Sequence, residues 1–291
     1  MPSAATRPIS DSVRRLGLGT VQFGQAYGVS NTAGQVPLAE VRAMLARAAG
    51  AGVAVLDTAA NYGQAEGVLA QCDTSAFRIV SKTVSAKNGV ATVTDRARQS
   101  VQSLGRVDVL LVHAAADLLG PCGDELWRAL RTLKEGGAVG AIGISAYVAD
   151  DPAALAHRFR PDVMQVPFSL LDQRLLQDGS LGRLKELGVE VHARSLFLQG
   201  LLFMATVPET LRDAAPLLAR VRQQIAAARS TPLAAALGLV LSRPEVDVAV
   251  VGATSRHELD EIFAAARAPL PEFDWRACAL DDARILTPSL W

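Results

Sequence analysis

The chain has 291 residues, half of them hydrophobic and one fifth charged, so it can bury a large core and wholesale disorder is excluded. Its 29 basic and 29 acidic residues give a formal net charge of zero, which excludes a global field that would attract nucleic acid or an anionic membrane. Three cysteines and four histidines are scattered without CxxC or HExxH spacing, so we expect neither a disulfide framework nor a metal site.

The chain shows no targeting or membrane-spanning signal. Its apolar stretches end well short of the roughly 18 residues that a transmembrane helix needs. Residues 1–9 lack the apolar stretch of a secretory signal peptide. We therefore expect a cytoplasmic protein with no nucleic-acid or membrane partner.

Eight short runs rich in Val, Ile or Leu recur along the chain at strand length. Runs that are apolar on both faces are typical of parallel strands covered on both sides. The predicted strands cover residues 16–21, 53–57, 77–82, 107–113, 139–145, 162–166, 189–195 and 246–253.

Helical patterns lie between these runs. Val41, Met44, Leu45 and Ala48 follow the spacing of one helix face, and glycine closes the pattern. Comparable patterns end near Gly105, Gly136 and Gly188, and Leu259, Ile262 and Phe263 mark a last helix. Eight alternating strand and helix units predict one domain over residues 1–291, an α/β protein folded as a (β/α)8 TIM barrel, rather than an open sheet.

One connection is longer than the others. Residues 208–229 form a helical insertion before the last unit, with Leu211, Ala215, Leu218, Val221 and Ile225 along one face. A stabilising insertion is favoured, and a substrate or partner loop is the alternative. The tails, residues 1–12 and 268–291, are expected to pack on the outside or the bottom of the barrel.

Polar residues follow nearly every apolar run. In a barrel of this type, the carboxyl ends of the strands carry the active site above a packed interior. We therefore expect these polar residues to meet at one mouth. They are Asp57, Thr58, Ser81, Lys82, His113, Ser145, Gln165, Arg194, Ser195 and Thr254.

Four titratable residues at this mouth suggest proton-transfer chemistry. Lys82, one of only four lysines, would stabilise the phenolate of Tyr62, and Asp57 would hold the ammonium in place. His113 could donate a hydrogen bond to a substrate oxygen. Taken singly, each residue has a structural alternative: an Asx turn, a rim aromatic, a solvated strand end or a satisfied histidine. Together they favour delivery of a proton to a carbonyl oxygen.

These residues resemble the aldo-keto reductase superfamily over nearly the whole chain. The most specific segments are Leu-Asp-Thr-Ala-Ala-Asn-Tyr-Gly at 56–63, Ser-Lys-Thr at 81–83 and Asp-Val-Leu-Leu-Val-His at 108–113. Gly-Ile-Ser at 143–145, Met-Gln at 164–165 and Val-Val-Gly-Ala-Thr at 250–254 extend the match. The resemblance implies a catalytic tetrad of Asp57, Tyr62, Lys82 and His113, with Tyr62 as general acid in reduction and general base in oxidation.

The resemblance also implies a nicotinamide cofactor extended across the mouth, a small-molecule carbonyl or sugar substrate, and a monomer or weak homo-oligomer. The implied substrate contacts are Phe23 and Tyr27. The implied cofactor contacts are Gly19, Thr20, Val21, Asp57, Ser145, Gln165, Arg194, Ser195, Leu196, Leu198, Gln199, Gly200, Gly252, Ala253, Thr254, Arg256, Glu258 and Leu259.

The chain departs from the family pattern at several of these positions. Arg194 stands where an aromatic residue often stacks on the nicotinamide, and Ala146 stands where the family often has Asn. Gly252 and Glu258 stand where a Lys and Arg pair often reads the 2′-phosphate, which leaves Arg256 as the nearest cation. We favour NADP because of Arg256, and NAD is the alternative because an acidic residue near the ribose suits a free 2′-hydroxyl.

The leading hypothesis is an NAD(P)-dependent carbonyl reductase or sugar dehydrogenase. A nicotinamide-binding redox sensor or regulatory protein with little turnover is the alternative, and a non-redox barrel such as a lyase or isomerase is a third class. A dinucleotide-binding fold of the Rossmann type is rejected, because Gly17-Leu18-Gly19 is followed by Gln22 where the motif needs glycine.

Overall fold

The computed structural model describes residues 12–272 and 274–291. Eight parallel strands close into a barrel in chain order, so that β1 pairs with both β2 and β8. The strands are β1 Leu16–Gly19, β2 Val55–Asp57, β3 Arg78–Lys82, β4 Val109–Val112, β5 Ala141–Ser145, β6 Val163–Pro167, β7 Glu190–Arg194 and β8 Val248–Gly252. The predicted (β/α)8 barrel is confirmed.

Helices follow the strands and surround the barrel. The α-helices are α1 Val21–Gly24, α2 Leu38–Ala51, α3 Ala65–Leu69, α4 Val90–Leu104, α5 Ala116–Leu119, α6 Gly123–Glu135, α7 Pro152–Phe159, α8 Arg174–Gln177, α9 Ser180–Glu186, α10 Ala215–Ala227, α11 Pro232–Ser242, α12 Arg256–Ala266 and α13 Ala283–Leu286. Short 3₁₀ helices cover Val13–Arg15, Ala86–Asn88, Val148–Asp150, Leu198–Phe203, Glu209–Ala214, Trp275–Cys278 and Pro288–Leu290.

Seven of the eight strands are shorter than their apolar runs predicted, and β1 and β2 show the reason. Val53 lies between α2 and β2, and its amide donates to the carbonyl of Ala48 near the end of α2. Val21 begins α1 rather than ending β1. Apolar runs therefore overestimate strands where a neighbouring helix uses the same residues.

Glycines end several helices as predicted, because they adopt a left-handed backbone at low cost. Gly52 follows α2 with φ of 89°, and Gly105 follows α4 with φ of 76°. Gly50 lies inside α2 and does not end it. These sharp ends return the chain to the base of the next strand.

Two apolar clusters fill the molecule. A large cluster packs the helices against the outer faces of the strands. A small cluster fills the barrel itself, and its buried members are Val55, Val80, Val109, Leu111, Val163 and Val248. Above this plug, four of the strands end in polar side chains: Asp57, Lys82, Ser145 and Arg194.

The long connection before β8 contains a 3₁₀ helix, Glu209–Ala214, and helix α10, Ala215–Ala227. A 3₁₀ segment leads into α10, which packs inward through Leu218, Val221 and Ile225. Ala214 is buried where the sequence predicted Ala215, because the 3₁₀ segment changes the helical phase.

Within residues 12–272 and 274–291, no single helix is long and apolar enough to cross a bilayer. The pair Glu209–Ala227 and Pro232–Ser242 reaches that length only jointly, and it is bent by 84°.

The carboxyl-terminal tail does not lie wholly outside the barrel. Residues 268–271 line the main cleft, so the prediction of an outer position is wrong for them. Further along, the amide of Leu280 donates to the carbonyl of Leu171, and the Gln173 side chain donates to that of Trp275. Residues 1–11 lie outside the described residues.

Candidate active site

A cleft of about 1500 Å³ opens at the carboxyl ends of the strands. It gathers most of the residues that the sequence singled out: Gly19, Thr20, Val21, Tyr27, Asp57, Tyr62, Lys82, His113, Ser145, Gln165, Arg194, Ser195, Leu196, Gln199, Gly200, Gly252, Ala253, Thr254 and Glu258. Parallel strands of a barrel end on the same side. Side chains chosen because they follow the strands therefore surround one cavity.

Four expected contacts do not line this cleft. Phe23 is fully buried in the outer core, so it does not face a substrate. Leu198 and Leu259 are buried as well. Arg256 is exposed at the first position of α12 and also lies outside the cleft lining.

Lys82 lies at the centre of the site. Its Nζ donates to Asp57 Oδ2 at 2.6 Å, to the carbonyl of Thr58 at 3.0 Å and to Tyr62 Oη at 3.1 Å. The Lys82 and Asp57 side chains are only 1% and 5% exposed. The neighbouring strands β2 and β3 supply this ion pair, and the loop after β2 supplies the phenol.

Electrostatics keep the Lys82 ammonium charged despite its burial. Desolvation alone would lower the pKa of Lys82, but the negative charge of Asp57, the Tyr62 oxygen and the hydrogen bonds to both outweigh it, and the pKa is raised. A charged donor therefore points at the Tyr62 oxygen.

The second oxygen of Asp57 is also used. Gln165 Nε2 donates to Asp57 Oδ1 at 2.6 Å. The resemblance implied that Gln165 contacts the cofactor, and the structure shows that its side chain binds the Asp57 carboxylate. Gln165 is the register partner of Ser145 in the β5–β6 pair.

His113 follows β4, and its amide donates to Thr83 Oγ1 at 3.2 Å. Its ring meets the Tyr62 ring edge-to-face, with centroids 5.8 Å apart. Burial, assisted by the positive charges of Lys82 and Arg194 and opposed by Asp57, lowers the pKa of His113 to about 4. The imidazole is therefore neutral at ordinary pH and can act as a hydrogen-bond donor.

Close backbone packing positions the Tyr62 loop. A Cβ on Gly24 would lie 1.9 Å from the carbonyl oxygen of Tyr62, and a Cβ on Gly63 would lie 2.4 Å from that of Gly24. Gly63 also has φ of 53°, and the Gln64 amide donates to Gly24. Helix α1 and the loop after β2 thus touch where neither has a side chain.

A buried network that the sequence analysis missed lies behind Tyr62. Glu66 accepts hydrogen bonds from Ser81 Oγ at 2.7 Å, Arg96 Nη2 at 2.6 Å and Ser100 Oγ at 3.0 Å. The available signal was the i, i+4 spacing of Arg96 and Ser100 on the face of α4 that bears Val93 and Ala97. This network attaches α3, and with it the Tyr62 loop, to β3 and α4.

Arg194 stacks on a second residue that sequence reasoning missed. Its guanidinium carbon lies 4.2 Å from the centre of the Tyr147 ring. Its side chain donates to the carbonyl of Ala146 at 3.3 Å and to Ser195 Oγ at 3.2 Å. A half-buried tyrosine two residues after a strand gave no sequence signal of this contact.

At the amino end of α12, where the resemblance implied cofactor contacts, several donors already have carboxylate partners. The amide and hydroxyl of Thr254 both donate to the Glu258 carboxylate, at 2.7 and 2.9 Å. The Arg256 amide donates to Glu40 Oε1 at 2.6 Å, and the Glu258 amide donates to Ser255 Oγ. Two carboxylates thus sit where a phosphate would need these donors.

Two loops meet beside this end of the cleft. Ser30 Oγ, from the connection between α1 and α2, donates to the Gln199 carbonyl at 3.1 Å. Gly200 has φ of 89°, and a Cβ there would lie 2.0 Å from Ser30 Oγ. The contact joins the loops that follow β1 and β7, on either side of the end of β8.

A model of the Aldo/keto reductase family matches residues 15–280. The chain belongs to the aldo/keto reductase family. Its fold resembles the holo form of an aldo-keto reductase from Bacillus halodurans, with 20% identity, a TM-score of 0.72, and 95% of this chain and 93% of that chain covered. A Pseudomonas aeruginosa protein assigned as an aldo-keto reductase gives 24% identity, a TM-score of 0.65, and coverage of 90% and 94%. No curated protein matches the chain.

Membership of the aldo/keto reductase family identifies an oxidoreductase that uses a nicotinamide cofactor on carbonyl compounds. The cleft fits such a cofactor in size, since it exceeds the roughly 300–1000 Å³ of ordinary ligand pockets. It runs from the Tyr62 region to Glu258 and Glu261 on α12. A dinucleotide and a small substrate can therefore share it.

Proposed function

We propose that this aldo/keto reductase reduces an aldehyde, ketone or sugar carbonyl with NAD(P)H, with Tyr62 as the proton donor. The observation that carries the proposal is the hydrogen bond from the buried, charged Lys82 to the Tyr62 oxygen. A phenol beside an ammonium can release its proton as a carbonyl oxygen gains negative charge. The same phenolate would accept the proton in alcohol oxidation.

The residues around the cofactor have separable roles in this proposal. The bound nicotinamide supplies the hydride. Ser145 and Gln165 would hold its carboxamide, and residues 195–200 would line the pyrophosphate. His113, neutral and edge-on to Tyr62, would donate a hydrogen bond to the carbonyl oxygen and orient it. Asp57 would hold Lys82 charged throughout.

The direct test is oxidation of reduced cofactor with a panel of simple aldehydes and sugars. We expect turnover with at least one neutral aldehyde. Tight cofactor binding without turnover would instead support a redox-sensing or regulatory protein. Failure to bind either reduced cofactor, measured by calorimetry, would refute the oxidoreductase proposal.

Cofactor preference is the first of the finer predictions. The sequence favoured NADP because of Arg256, but that residue does not line the cleft, whereas Glu258 and Glu261 do. A 2′-phosphate would be repelled by both carboxylates. We therefore expect NADH to bind at least about tenfold more tightly than NADPH in calorimetric titrations, a difference of at least about 1.4 kcal/mol in binding free energy.

Glu261→Gln supplies the matched variant for this comparison. It removes one charge without touching the bonds of Thr254, so the NADPH affinity should rise towards that of NADH. Glu125→Gln, an exposed residue on α6, should leave the ratio unchanged. Tighter binding of NADPH than NADH by the natural chain would contradict the assignment.

The pH dependence of stability should report the neutral state of His113. Because burial and its cationic neighbours lower its pKa to about 4 from 6.5, the unfolded chain binds a proton between these values that the folded chain does not. His113 therefore makes the free energy of unfolding fall as the pH is lowered from 6.5 towards 4. Urea unfolding of the natural chain and of His113→Gln should show a shallower fall for the variant.

His157→Gln is the control for this measurement, since His157 is exposed on α7. It should leave the pH dependence as in the natural chain. An NMR titration that gives His113 a pKa near 6.5 would contradict the assignment.

A further inference from the structure

Arg194 is a cation in the catalytic cleft that no acidic group neutralises. Among residues 12–272 and 274–291, no carboxylate oxygen lies within 4 Å of its guanidinium; the nearest polar partners are a backbone carbonyl and a hydroxyl. These contacts use two of the five N–H groups that a guanidinium carries. Arg194 lines the cleft.

Around Tyr62, the other titratable groups add no net charge. Lys82 and Asp57 form a buried pair, and the imidazole of His113 is neutral because its pKa is about 4. The remaining charged residues of the cleft lining are Arg229 and, at the α12 end, Glu258 and Glu261. The part of the cleft around Tyr62 therefore carries a net positive charge that comes from Arg194.

Arg194 shares a pocket with the reacting groups. Its charge acts on both His113 and Tyr27, and Tyr27 in turn interacts electrostatically with Tyr62, Tyr147 and Lys82. Stacking on the Tyr147 ring fixes the plane of the guanidinium. A planar donor held in one orientation beside the proton donor is suited to a planar acceptor.

We infer that Arg194, oriented by Tyr147, binds a carboxylate carried by the substrate, so that the preferred carbonyl compounds are oxo acids or acid aldehydes. A guanidinium matches a carboxylate through two parallel hydrogen bonds, and one carboxylate charge is balanced by one cation. A phosphate monoester carries about −1.5 to −2 charges and would need a second cation. Lys82 cannot supply that charge because Asp57 already pairs with it. The inference rests on the proposed carbonyl reduction.

The test compares two aldehydes of equal length, succinic semialdehyde and butanal, which differ in the carboxylate. We expect the natural enzyme to prefer succinic semialdehyde in kcat/KM by at least about tenfold. Arg194→Met should remove most of this preference by lowering kcat/KM for succinic semialdehyde, while butanal changes far less. Arg194→Lys should retain part of it, since it keeps the charge and loses the planar fork.

Two further variants separate orientation and general charge from the proposed contact. Tyr147→Leu keeps the cation but removes the ring beneath it, so the preference should fall less than in Arg194→Met. Arg98→Met removes an exposed cation from α4 and should leave the preference intact. The ratio of kcat/KM for glyceraldehyde 3-phosphate to that for glyceraldehyde measures the phosphate preference in the same variants.

The outcomes are distinct. An equal loss for both aldehydes in Arg194→Met, or a matching loss of NAD+ affinity in calorimetry, would overturn the inference by assigning Arg194 to the cofactor. Turnover of butanal with no preference for the acid aldehyde in the natural enzyme would overturn the inference alone. A larger Arg194-dependent preference for glyceraldehyde 3-phosphate over glyceraldehyde would overturn the inference, because Arg194 would then bind a phosphate rather than a carboxylate. No turnover of any aldehyde despite cofactor binding would overturn both the inference and the proposed function.

Discussion

Tyr62→Phe should lower kcat/KM for carbonyl reduction by about 10²–10⁴-fold, the range that general acid catalysis contributes. The variant loses the oxygen that lies 3.1 Å from Lys82 Nζ and keeps the ring that contacts His113. Cofactor affinity, measured by calorimetry, should stay close to that of the natural chain. The loss would then belong to proton transfer rather than to binding.

The chain carries its own controls for this prediction. All three of its tyrosines, Tyr27, Tyr62 and Tyr147, line the cleft, but only the Tyr62 hydroxyl is hydrogen-bonded to Lys82. Burial, together with Tyr62 and Tyr147, raises the pKa of Tyr27, which makes it a poorer acid. Tyr27→Phe and Tyr147→Phe should therefore lower kcat/KM for carbonyl reduction much less than Tyr62→Phe. Comparable activity in Tyr62→Phe and the natural chain would refute its role.

Lys82→Met should destabilise the protein and abolish its activity together. Removing one member of a buried ion pair leaves an uncompensated charge, which costs about 3–5 kcal/mol of unfolding free energy. Here the charge left behind is Asp57, whose side chain is 5% exposed. Urea unfolding followed by circular dichroism would measure the loss.

A double variant separates stability from chemistry. Asp57→Asn with Lys82→Met leaves no buried charge, and the new amide oxygen can still accept from Gln165. We expect most of the stability to return while carbonyl reduction stays lost, because nothing then donates to the Tyr62 oxygen. If the double variant were active, or as unstable as Lys82→Met, the role of the pair would need revision.

Much of the barrel could be predicted because its signal is local. Each strand is a short apolar run, and the plug formed by Val55, Val80 and Val109 needs nothing more specific than branched apolar side chains. The strand boundaries were harder to predict. Val53 is apolar, but its amide is hydrogen-bonded to the end of α2, and Val21 is apolar but begins α1. Hydrophobicity indicates that a residue is buried, but it does not show whether the residue belongs to a strand or to a neighbouring helix.

The candidate site divides in the same way. Asp57, Lys82 and His113 were predictable from position, because the ends of parallel strands meet. The position of Arg256 was not, since one turn of α12 decides whether a side chain faces the cleft. Glu66 and Tyr147 were missed because a glutamate on a short helix and a tyrosine in a loop resemble surface residues until their partners, Ser81 and Arg194, are brought in by distant strands.

The contact between Gly24 and Gly63 has a consequence for how this enzyme can change. Neither residue has a functional group, yet a single methyl at Gly24 would overlap the backbone of Tyr62. A mutational search for new activity can vary the outer helices freely but has almost no freedom at these two positions. The position of Tyr62 thus depends on the absence of side chains at Gly24 and Gly63. A change in substrate range must therefore come from the loops around Tyr62.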